Sequence, residues 1–174
     1  MNIRASKNKD LAFIRSMHED AFGEPEGKSV AQLACDLLED ETAKPLTSLV
    51  AEDNGKIIGN IIFSSVKVDG YEDLSIYILA PLAVSKSYQQ KGLGTKLINH
   101  GLETLRKGGA DVVLVLGDPN YYSRSGFKAG QNIKPPYKLE YPEAWMALEL
   151  KADMLAKIDG VAKCATSLGQ PEYW

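Results

Sequence analysis

Mid-chain, the run Gln89-Gln90-Lys91-Gly92-Leu93-Gly94-Thr95-Lys96 has the composition of a phosphate cradle. It stands between an apolar stretch and an amphipathic one, where a strand hands over to a helix. The first turn of a helix presents backbone N–H groups with no intrahelical acceptor, at the positive end of the macrodipole. Glycines at 92 and 94 let a phosphate come close to that backbone, and Lys91 and Lys96 add positive charge. Single positions exclude two familiar phosphate loops. A dinucleotide fingerprint needs a third glycine where this chain has Leu97, and a Walker A loop needs Lys before Ser/Thr, the reverse of Thr95-Lys96. A Gln-x-x-Gly-x-Gly pattern remains, and by itself it also allows an ordinary glycine-softened turn.

A second constellation, Gly117-Asp118-Pro119-Asn120-Tyr121-Tyr122-Ser123-Arg124-Ser125-Gly126-Phe127, follows the unbroken apolar run at 112–116. Together with Leu79-Ala80-Pro81-Leu82-Ala83-Val84 ahead of the first loop, it resembles the signatures of the GNAT superfamily of acetyl-CoA-dependent N-acetyltransferases. Those signatures are an acyl-CoA pyrophosphate loop after the fourth strand, and an aromatic-Tyr pair shortly before Gly-Phe. The resemblance covers roughly residues 2–150, with its specific part at 79–127.

The resemblance implies acetyl-CoA as co-substrate, its pyrophosphate on Gln89, Gln90, Lys91, Gly92, Leu93, Gly94 and Thr95. It implies that strands four and five splay apart, so that the backbone of Leu82, Ala83 and Val84 pairs with the pantetheine arm, which Asn120 also hydrogen-bonds. Tyr122 then stands beside the CoA sulfur as the catalytic residue. Aminolysis of a thioester expels a thiolate, and a thiol near ~8.5 and a phenol near ~10 are close enough in pKa for proton transfer. Tyr122 is expected to act as general acid or to hydrogen-bond the leaving sulfur, and Tyr121 to be a packed aromatic. An unpaired N–H near Leu82 or Ala83 would stabilise the developing oxyanion.

The acceptor end is less legible. Glu72, Asp73 and Glu149 are candidate bases but are expected as solvated charges. The segment His18-Glu19-Asp20-Ala21-Phe22-Gly23-Glu24-Pro25-Glu26 occupies the region where the superfamily shapes its acceptor site, and its acids would attract a cationic amine. A solvated helix end, with His18 exposed, is the plainer expectation.

The elements that must position these groups follow from periodicity. Residues 2–5 read as a short strand and 8–22 as an amphipathic helix. A second helix, capped by Ser29, carries Val30, Leu33, Ala34, Leu37 and Leu38 on one face. Residues 47–53, 56–68 and 71–84 read as an antiparallel meander turned at Asn54-Gly55 and Asp69-Gly70. Residues 92–107 form a helix, 112–116 a strand buried on both faces, and 120–125 a short helix. Phe127 starts another strand, and 145–150 is the last. Pro81, which cannot donate to a ladder, predicts a bulge in the fourth strand. The fold class is α/β, a mostly antiparallel sheet with helices on both faces. Residues 1–150 form the domain and 151–174 an extension packed on it, to which no chemistry is assigned.

Composition bounds the rest. The 174 residues suit one domain, with 44% hydrophobic and 25% charged residues. The net charge of −3 argues against nucleic acid as partner. Two cysteines without CxxC spacing and two distant histidines predict neither a disulfide framework nor a metal site. No signal sequence or membrane span is read, so a cytoplasmic protein is expected, and the resemblance implies a monomer or homodimer. The leading function is acetyl transfer to a primary amine, on a small molecule or a peptide, by direct attack in a ternary complex. A non-catalytic acyl-CoA sensor, a transferase of longer acyl groups and an α/β protein with no CoA site are the alternatives.

Overall fold

Asn54 and Gly55 adopt φ of 49° and 76°, the left-handed pair that a tight hairpin demands. They join β2 (Thr47–Asp53) to β3 (Lys56–Val66), an antiparallel pair. The computed structural model describes all 174 residues. β3 pairs in turn with β4 (Ile76–Val84), and β1 (Asn2–Ala5) closes the other edge against β2. β4 then runs parallel to β5 (Val112–Leu116), and β5 antiparallel to β7 (Trp145–Glu149). The sheet order is β1-β2-β3-β4-β5-β7, with one parallel pair among antiparallel ones. A small parallel pair, β6 (Ile133–Lys134) and β8 (Gly160–Val161), lies apart.

Each face of the sheet buries its own core. On one side pack α1 (Leu11–Phe22) and α2 (Gly27–Glu39), through Ile14, Leu33, Ala34 and Leu37, over Ile62, Ile78 and Leu114. On the other, α3 (Leu93–Lys107) sets Leu97, Ile98, Leu102 and Leu105 against Ile61, Phe63, Val113 and Val115. β5 is covered on both faces, as its unbroken apolar run requires. The tail joins the first core, where Ile158, Ala162, Ala165 and Leu168 are each at most 3% exposed. Asp40 clasps it there, accepting from the Ser167 backbone N–H at 2.9 Å and its hydroxyl at 2.6 Å.

Several expected boundaries shift. The meander's third strand begins at Ile76, because residues 71–75 turn, with the Tyr71 and Leu74 N–H groups donating to Val68 and Tyr71 carbonyls. Phe127 starts no strand. Its ring is buried, and its neighbour Lys128 makes only an isolated bridge to Ala147. Ser29 lies inside α2, which starts at Gly27, where a side chain would meet the Glu19 carbonyl of the adjoining helix. The short helix is α4 (Pro119–Tyr122), continued by a 3₁₀ turn at Ser123–Ser125.

Candidate active site

β4 and β5 share a ladder only from Ile76–Val112 to Leu79–Val115. Beyond it the strands part, for a reason visible in the sequence. Between Leu79↔Phe63 and Leu82↔Ile61 on β3, β4 carries the extra residue of a bulge at Ala80-Pro81. Past the bulge the Ser85 N–H donates to Ile58 O at 2.9 Å. Ladder alternation then turns Ala83, opposite Asn60, toward β3, and Leu82 and Val84 toward the fork. The Val84 carbonyl is there capped by Gln89 Nε2 at 2.9 Å. Leu82 N–H therefore faces open space at the fork, whereas Ala83 is committed to the ladder.

The loop after β4 rises into α3. Gly92 is the N-cap, with φ of 80° and nothing within 4 Å of where a side chain would stand. Gln90 also has positive φ, 59°. The backbone N–H groups of Gln90 through Thr95 donate to no protein acceptor. They border a cavity of about 450 Å³ lined by Val84, Gln89, Gln90, Gly92, Leu93, Gly94 and Thr95, with Tyr88, Tyr121 and Arg124. Consecutive free amides at a helix N-terminus fit a diphosphate without further help.

The side chains divide the labour differently from the spacing. Gln89 also reaches Ala21 O at 3.4 Å, so it braces the loop. Lys91 folds back to Ser87 O at 2.8 Å. Lys96 is exposed on α3, outside the cavity lining. Arg124, to which no role was given, supplies the cation at the cavity wall. Its signal was its place two residues before Gly126. Tyr121 is not only packing. A side chain at Gly94 would collide with its hydroxyl, so the loop glycine leaves room for an aromatic as well as for a phosphate.

Tyr122 points elsewhere. It packs on Gly117 and stands edge-on to Phe127, ring centroids 5.9 Å apart, and burial pushes its phenol well above the usual tyrosine range. It lines a second cavity of about 500 Å³ at the fork, with Pro81, Leu82, Leu116 and Asp118. The helical corner contributes Phe22, Glu26, Val30 and Leu33, and the tail Leu168, Tyr173 and Trp174. The tail's contribution has no local signature in the sequence. Asn120 is exposed and lines a separate recess with Tyr141 and Glu143.

The candidate bases are placed by the same geometry. Glu149 accepts from the Leu155 N–H at 3.1 Å and Glu72 from the Gly70 N–H at 3.0 Å, so each holds a turn. His18 is not exposed: it is fully buried, its Nε2 2.9 Å from Asn60 Oδ1. The Asn60 amide donates to Leu49 O at 2.9 Å, which turns its oxygen to His18 and makes Nε2 the donor. Burial lowers the imidazole pKa to about 4, more than the Asn60 hydrogen bond restores. No helix is long and apolar enough to cross a membrane.

Comparison with known proteins agrees with this geometry. Residues 11–130 match the family model described as acetyltransferase (GNAT) family. An uncharacterised N-acetyltransferase of Escherichia coli K12, YjhQ, is 40% identical over 162 residues, 90% of this chain and 87% of that protein. The crystal structure of the E. coli GNAT-family N-acetyltransferase YhbS in complex with CoA superposes with a TM-score of 0.88 at 32% identity, covering 98% of this chain and 92% of the other. A GNAT-family acetyltransferase from Brucella melitensis, in complex with acetyl-CoA, gives 0.78 at 31% identity, over 96% and 97%. The chain belongs to the GNAT acetyltransferase family, as an N-acetyltransferase with acetyl-CoA as its co-substrate.

Proposed function

We propose that the chain passes the acetyl group from acetyl-CoA directly to a primary amine while both are bound. The observation that carries this is the fork. It joins the amide cradle of residues 90–95 to the cavity holding Tyr122, past the backbone of Leu82 and Val84, whose N–H groups face away from β3. The pyrophosphate sits on the cradle beside Arg124. The pantetheine arm then completes the broken ladder along Leu82 and Val84, with Ala83 anchoring that strand to β3.

In the reaction the amine nitrogen attacks the thioester carbonyl. The C–N bond forms, the C–S bond breaks, the nitrogen gives up a proton to water, and the sulfur leaves as thiolate. Leu82 N–H faces the oxygen on which charge develops. Tyr122 donates a hydrogen bond to the departing sulfur. Because burial holds its phenol protonated, the donor is present at every working pH. Unpaired Cys35 and Cys164, the latter thiol pushed up to about 12 by burial, accord with a reducing cytoplasm.

Release of free CoA thiol, followed while acetyl-CoA and an amine are varied together, tests the mechanism. Intersecting double-reciprocal lines are expected for direct attack. Parallel lines would mean an acetyl-enzyme and overturn it.

A further inference from the structure

The fork cavity is unusually uniform. Around Tyr122 its walls are Phe22, Val30 and Leu33 from the helical corner and Leu168, Tyr173 and Trp174 from the tail. Its only charged lining residues are Glu26 and Asp118, and no cation borders it. Asp118 is engaged, its Oδ1 accepting from the Asn120 N–H at 2.9 Å. The exposed Glu26 carboxylate at the rim makes neither hydrogen bond nor ion pair. The tail wall is fixed in place. Trp174 Nε1 donates to Leu168 O at 2.9 Å, its ring meets Trp145 edge-on at 5.5 Å, and Tyr137 donates to Gly169 O at 2.6 Å.

We infer that this cavity takes a small monoamine carried on an apolar body, with Glu26 drawing in the ammonium, which gives a proton to water before the neutral nitrogen attacks, and Trp174 limiting the body's size. The inference rests on the acyl-transfer reading for the location of the acceptor. About 500 Å³ must hold both the acetyl end of the thioester and the acceptor, which keeps the acceptor small. A hydroxyl or a second ammonium on it would be stripped of water against walls that are mostly apolar. Asp118 spends part of its carboxylate on the capping bond, which leaves Glu26 as the better seat for a cation.

Calorimetric titration of the CoA-saturated protein with phenethylamine, hexylamine, ethanolamine and cadaverine tests this without requiring turnover. The two apolar monoamines are expected to bind about tenfold or more tighter than the other two. Trp174→Ala and Glu26→Gln should each weaken phenethylamine several-fold at unchanged CoA affinity. Val30→Phe, at a half-buried position, should penalise phenethylamine more than hexylamine. Equal affinities, a preference for the polar amines, or variants that bind phenethylamine like the native chain would each overturn the inference. Phenethylamine that binds but is never acetylated would sustain the inference and count against the transfer reading instead.

Discussion

Tyr121 and Tyr122 are adjacent in sequence and serve opposite ends of the fork. Their rings meet at 87°, centroids 5.0 Å apart, which sends one hydroxyl to the loop glycine and the other ring to the fork cavity. Their pairing with Gly126-Phe127 was legible because those residues lie within one short helical segment, where spacing fixes geometry. The resemblance gave Tyr122 its end of the fork, whereas Tyr121's place at the loop was not legible, since that depends on Gly94 across the fork. The elevated Tyr122 phenol is a better hydrogen-bond donor to a thiolate than a full proton donor to it. Tyr122→Phe should therefore lower kcat by about 100-fold, with acetyl-CoA affinity nearly unchanged. Steady-state kinetics beside a CoA titration would show it, and an unchanged kcat would remove Tyr122 from the chemistry.

The decisive element is the strand–loop–helix unit from β4 through α3. Its bulge, loop and helix were all written locally, in Pro81, Gly92, Gly94 and the apolar spacing after Leu93. What local pattern could not supply was the strand's entry. Residues 71–75 turn, and Asp111, accepting from the Ser75 N–H at 2.8 Å, pins the strand start from the far side of α3. Gly94 tests the unit's two constraints together. Gly94→Val should displace Tyr121 and narrow the cradle, costing about 1–3 kcal/mol of stability and weakening CoA binding by at least about tenfold. Thermal melts and a CoA titration would report both, and native CoA affinity would deny the loop its role.

Across the whole molecule, distant segments decide what the sequence conceals. His18 and Asn60 are 42 residues apart, and only the packing of α1 on β3 reveals their buried hydrogen bond. The tail, placed by Asp40 more than a hundred residues away, became a cavity wall although nothing in its composition marked it. Hydrogen bonds from Ser167 and Thr42 outweigh the effect of burial on Asp40 and hold its carboxyl at about 2, so the clasp persists through mild acid. His18 does not share that tolerance. Its pKa falls from 6.5 unfolded to about 4 folded, so the neutral form is the one the fold accepts. Stability is full above pH 6.5 and declines as pH falls toward 4, by about 3 kcal/mol at the lower limit. Chemical denaturation between those limits should show this slope, and His18→Leu should flatten it. An equal slope in the variant would assign the acid sensitivity elsewhere.

The central claim is that the free amides opening α3 hold the pyrophosphate of acetyl-CoA. Thr95→Glu addresses it most directly, because a carboxylate in the first turn favours the helix dipole while repelling an anion from the cradle. Titration of acetyl-CoA into the native and variant proteins, with a melting curve for each, is the measurement. The account predicts an unchanged or slightly higher Tm and a loss of affinity of at least about tenfold. A variant that binds acetyl-CoA as tightly as the native chain would contradict it.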